Sequence, residues 1–173
     1  MQVVNWLIGG SIAVVILAGL VRWVLPPYRY NHVKSEDLKT YLEVLLWRGF
    51  NNGYIVIEID EPPQQRRLIQ FAKYIRASGK AGLELVFPLA DWSRLHYNGF
   101  KEILTAKEIP FRAHSRDADE VQEAVFVDVQ QDLVLAYDLC CILLAEVFSI
   151  TENECSINVT LHNVSPRNVR HGE

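Results

Sequence analysis

The longest unbroken hydrophobic pattern in the chain is its beginning. Residues 3–25 read VVNWLIGGSIAVVILAGLVRWVL, apolar on every helical face and without charge from Trp6 to Val21. At a rise of about 1.5 Å per residue, such a run can span the ~30 Å hydrocarbon core of a bilayer. The pattern predicts a single membrane-spanning helix over residues 1–27, stopped by Pro26-Pro27, which cannot continue helical hydrogen bonding. Its interface residues would be Trp6 at one end and Arg22, Trp23, Tyr28, Arg29 and Tyr30 at the other, with rings at headgroup depth and arginines snorkelling outward. The start, MQVVN, carries no Lys or Arg, so the run reads as a retained signal-anchor rather than a cleaved leader. Arg22, Arg29, Lys34 and Lys39 flank only its far side. The positive-inside rule therefore expects the N-terminus outside and the domain in the cytoplasm, joined by a linker over 28–34.

Helical and strand periods alternate after that point. Leu38, Tyr41, Leu42, Leu45 and Leu46 recur at helical spacing between Ser35 and the stop at Arg48-Gly49. Asn51-Asn52-Gly53 reads as a turn, and the β-branched run 54–60 as a strand buried on both faces. Pro62-Pro63 would open a second helix reaching Ser78, with Leu68, Ala72 and Ile75 inward. A strand follows over 83–88, then a third helix from Asp91 carrying Trp92, Leu95, Phe100, Ile103 and Leu104. Short strands are expected at 110–114 and 124–129, with a fourth helix over 132–148. The last strand, 155–161, alternates cleanly, with Cys155, Ile157, Val159 and Leu161 on one side. The expectation is an α/β domain over 35–164 with a mixed sheet of about five strands and about four helices, ending in a polar tail over 165–173.

Charge narrows the partners. The net charge is −4, and Arg22 is the sole charged side chain before Pro27. A mildly acidic domain without a Lys/Arg-rich block is a poor nucleic-acid binder, because phosphate affinity rests on cationic neutralisation. From Asp117 to Glu154 there are ten acids and no Lys or Arg. The expected second helix is basic instead, and Arg66, Lys73 and Lys80 would share one of its faces as a lipid- or partner-binding surface. Cys140, Cys141 and Cys155 stand at apolar positions without metal-type spacing and read as reduced core thiols.

Chemistry is sparse. No phosphate loop, nucleophile elbow or zinc-protease motif occurs, and no cofactor, metal or small-molecule ligand is expected. Glu58, Asp60 and Glu61 cluster at the end of a strand, where α/β sheets form sites. With Glu84 added, Glu58 and Asp60 suggest a membrane-tethered metal-dependent hydrolase or nuclease, although helix capping and solvation explain the same acids. Asp117, Asp119, Glu120 and Glu123 lack the glycine and spacing of a calcium loop. His96 borders the core, His114 lies on a surface strand, and Ser93 belongs to a helix start. The sequence therefore predicts a membrane-anchored, non-catalytic interaction module, an accessory or assembly subunit of a membrane protein complex. Its partners are lipid through the anchor and other subunits through the domain, with the apolar fourth helix and a last strand open to strand addition as contact surfaces.

Overall fold

The computed structural model describes residues 27–61, 65–115, 123–150 and 156–165. Seven strands form one sheet in the order β1-β7-β2-β3-β4-β6-β5, and every neighbouring pair is antiparallel. They are β1 Tyr28–Val33, β2 Gly49–Glu61, β3 Gln65–Ile75, β4 Ala81–Pro88, β5 Arg112–Ser115, β6 Glu123–Gln130 and β7 Ser156–Val164. Three α-helices accompany them among the described residues: α1 Leu38–Arg48, α2 Arg94–Ala106 and α3 Leu133–Ile142, the last continuing as a wider π-type turn over Leu143–Val147. The sheet is thus antiparallel and larger than the mixed five-stranded one expected.

Alternation explains the layering. Ile55, Ile57 and Ile59 of β2, Ile69 and Phe71 of β3, Leu83, Leu85 and Phe87 of β4, Val125 and Val127 of β6, and Val159 of β7 are fully buried on one face. That face receives the helices, whose Leu38, Leu42, Leu45, Phe100, Leu104 and Leu139 complete the core. The opposite side chains, among them Val56, Gln70, Val86 and Phe126, are half-buried and aligned in one cross-strand row. An antiparallel sheet with one packed and one wetter face needs only one hydrophobic period per strand. The central run 54–60 is accordingly buried on one face, not two.

The main error of the sequence reading lies at 62–78. In place of a second helix, residues 65–75 form β3, paired with β2 on one side and β4 on the other. Leu68, Ala72 and Ile75 mimic helical spacing, but Arg67, Ile69, Phe71 and Lys73 are the inward set. Its two ends are cationic, so its hydrophobic alternation was hidden. Both cations bind the ends of helices. Lys73 is 6% exposed, and its Nζ donates to the carbonyls of Leu46 at 2.6 Å and Gly49 at 2.7 Å, capping α1. Arg67 donates from Nη1 to the Phe148 carbonyl at 2.5 Å, just beyond the turn that follows α3. Positive charge there satisfies orphan carbonyls and the negative helix end together. Gly49 permits the sharp exit from α1, since a Cβ there would lie 2.4 Å from the Leu45 carbonyl oxygen.

The membrane expectation is corrected. No helix among the described residues is long and apolar enough to cross a membrane. Of the run over 1–27, residues 1–26, with Trp6, Arg22 and Trp23, lie outside the described residues, and a single-pass protein with a cytoplasmic domain is not supported. The expected linker is strand β1. Its Tyr28 and Tyr30 pair with Leu161 and Val159 and pack on the core edge, Tyr30 against Tyr41 at 4.8 Å, while Arg29 faces out opposite Thr160. The Asn51–Gly53 turn is an irregularity within β2, with Asn52 at φ 63°.

Candidate functional site

The acids singled out as a hydrolytic site do not converge. Glu58 and Asp60 belong to β2 and Glu84 to β4, with β3 running between them. Asp60 accepts a hydrogen bond from Asn158 Nδ2 at 2.8 Å, and Glu84 is paired with Arg112. Among the described residues no group of His, Cys, Asp and Glu is arranged to hold a metal ion. The acidic residues Asp117, Asp119 and Glu120 lie outside the described residues, as does Cys155. Glu123 accepts from the buried Tyr97 hydroxyl at 2.9 Å, and burial together with this carboxylate raises the phenol's pKa far above its ordinary value. Cys140 is a buried thiol, raised by burial and then by Cys141. Ser93 is fully buried, donating to the Pro88 carbonyl and accepting from Ala90 N–H at 2.8 Å. It shapes the turn into α2 and is not presented to a substrate.

A cluster the sequence did not suggest sits at the rim beside β1. His32 has φ 55° where the β1–β7 register slips between Tyr30 and Val33. Its backbone N–H donates to Asn158 Oδ1 at 3.3 Å, and its Nδ1 lies 3.1 Å from Ser156 Oγ. Serine beside histidine invites a nucleophilic reading, but the neighbouring carboxylate, Asp60, engages the Asn158 amide rather than the imidazole. A nucleophile's base needs an orienting partner of its own. The bulge explains these bonds, because it twists a sheet edge away from pairing with another chain.

The two histidines sheltered by packing respond to acid in the same sense. His96 meets Phe148 edge-on at 5.4 Å, and burial, then the Arg67 charge, lower its pKa against the opposing hydrogen bond to the Val147 backbone. His162 stacks on Tyr54 at 4.2 Å and is lowered by burial and then by Arg29. With folded values below the ordinary ~6.5, the unfolded chain takes up protons first. Stability present at neutral pH is therefore lost as pH falls through and below about 6.5. Replacing His96→Gln should make the melting temperature fall less steeply between about pH 7.5 and 5; an unchanged slope would show that His96 has no part in it.

No family model, curated protein or solved structure matches this chain. Its surfaces therefore carry the functional reading. The basic face expected of Arg66, Lys73 and Lys80 does not form, since Lys73 is an inward cap, Arg66 stands opposite Asp60 in the β2–β3 register, and Lys80 lies in the turn before β4. Strand β7 lies inside the sheet between β1 and β2, so it offers no edge for strand addition. Helix α3 buries Ala136, Leu139, Cys140 and Ile142 against the core, leaving Val134 outward.

The conspicuous apolar exposure lies elsewhere. Trp47 is 61% exposed in the last turn of α1, Phe50 38% at the start of β2 and Ile75 43% at the end of β3. The Lys73 cap ties the first two elements together, and Ile75 N–H donates to Asn51 Oδ1 at 3.0 Å, joining the third. Arg48 and Lys80 are exposed at the same end of the sheet. Leu95 is a separate case. Tyr97, Phe100 and Leu104 set the inward phase of α2, and Leu95, about 200° round from Tyr97, points away and is 91% exposed. The sequence counts it among the apolar residues of this helix and assigns it no face.

Proposed function

We propose that the chain is a non-catalytic interaction module, an accessory subunit that binds another protein through the end of the sheet bearing Trp47, Phe50 and Ile75. The exposure of Trp47 supports this reading most. Large aromatic rings left in water at a structured site are unfavourable for the free molecule and are the side chains that dominate protein–protein hot spots. Trp47 stands on a held backbone: the last turn of α1 is capped by Lys73, so little backbone freedom remains to be lost there on binding. Phe50 and Ile75 supply a partly exposed apolar surround, and Arg48 and Lys80 a polar rim.

The test is a comparative affinity purification from the native source with the natural chain and Trp47→Ser. A stoichiometric companion should accompany the natural chain and be lost with the variant, whose melting temperature should change by less than about 2 °C because the ring is largely solvated. If the natural chain came alone, or both forms brought the same companions, the reading would be abandoned.

A further inference from the structure

We propose that the outer face of α2 is a self-association surface, on which two copies of this chain pair antiparallel about a twofold axis near Asn98 and Gly99. Three observations meet on this face. Leu95 is an exposed knob at 91%. One to three turns further along, Asn98, Lys101, Glu102, Thr105 and Ala106 line an open groove of about 540 Å³ together with Phe111. Next to Asn98 stands Gly99, in the interior of a helix, where a Cβ would meet nothing within 4 Å. Glycine weakens a helix, and among the described residues no packing contact calls for its missing side chain.

An antiparallel pairing turns these features into complements of one another. With the axis near Asn98, Leu95 of one copy lies beside the Lys101–Glu102 turn of the other, over the groove, and the same contact repeats by symmetry. Arg94, which makes a loose 3.4 Å contact with its own Asp91, comes opposite Glu102 of the second copy. The Arg94–Glu102 pairing is therefore self-complementary in charge, as a twofold interface requires. Gly99 lies near the crossing point, where a small residue lets two helix axes approach within the usual 8–10 Å or closer. The surface is separate from the Trp47 end, and the proposal does not depend on it.

The decisive experiment is sedimentation of the purified full chain over a range of concentrations, for the natural sequence and five variants. The natural chain should form dimers. Leu95→Lys should weaken dimerisation by about tenfold or more, while circular dichroism shows an unchanged fold because the residue is already in solvent. Arg94→Glu and Glu102→Arg should each weaken it several-fold, and their combination should restore it, since the reversed pair attracts again. A monomeric natural chain would overturn the proposal and leave the face to solvent or another protein. A dimer indifferent to Leu95→Lys, one not rescued by the charge reversal, or one abolished by Trp47→Ser would overturn it too.

Discussion

Replacing Lys73→Met should destabilise the domain by about 3 kcal/mol, although methionine is the more apolar residue and the position is buried. The ammonium donates to two carbonyls at the end of α1, Leu46 and Gly49, at 2.6 and 2.7 Å. A thioether satisfies neither. Each buried acceptor deprived of its donor costs roughly 1–3 kcal/mol, and removing the cation also gives up its attraction to the helix end. The gain from burying a more apolar side chain offsets only part of this. For a domain of this size, about 3 kcal/mol corresponds to a drop of roughly 6–12 °C in melting temperature. Lys80→Met, at an exposed turn, is the control and should stay within about 0.5 kcal/mol. Equal effects at the two positions would show that the cap contributes nothing. Urea midpoints for the three chains are enough to decide.

Phe87→Ala should cost more, about 4 kcal/mol. Phe87 is fully buried on the inner face of β4, with Phe100 5.0 Å, Trp92 5.7 Å and Phe148 6.2 Å from its ring centre. These neighbours come from three segments: the body of α2, the turn before it, and the chain just after the π-type turn. None can collapse into the space without leaving its own contacts. Truncation therefore combines lost transfer energy with an unfilled cavity, the condition that puts Phe→Ala changes at about 3–5 kcal/mol. Phe87→Leu should lose less than about 1.5 kcal/mol, because most of the volume is kept. Near-equal losses for the two would mean that the aromatic geometry, not the volume, holds this end of the core.

The strands at 83–88 and 124–129 and the inward set Ile157, Val159 and Leu161 were visible in the sequence because their core faces are purely apolar. β3 was not, because Arg67 and Lys73 occupy inward positions, and a charged residue at the end of a core stripe looks like the solvated face of a helix. Only the position of neighbouring helix ends reveals why a cation belongs there, and that is tertiary information. Sheet direction was misjudged for the same reason: with β3 taken as a helical crossover, parallel neighbours followed. β1 was missed because Pro26-Pro27 and the aromatics after them were assigned to the hydrophobic run that precedes them. Of the surfaces, Leu95 is one apolar residue among several in its helix, whereas Trp47 stands outside the helical spacing of Leu38, Leu42, Leu45 and Leu46. Phase relative to Tyr97, Phe100 and Leu104 separates Leu95, and phase relative to Leu38, Leu42 and Leu45 separates Trp47.

The placement of β7 has a consequence for how the domain is made. It is the last described strand in the chain, yet it lies between β1, the first, and β2, with Tyr28 paired to Leu161 and Ile57 to Val159. During synthesis the emerging chain can lay β2, β3, β4 and β6 side by side, but β2 keeps a bare edge and β1 has no neighbour at all. Contacts so distant along the chain form slowly, and an unfilled strand slot in a nascent sheet invites the wrong chain. A ribosome stalled short of residue 156 therefore holds a domain that cannot close, and emergence of residues 156–164 is the event that completes it.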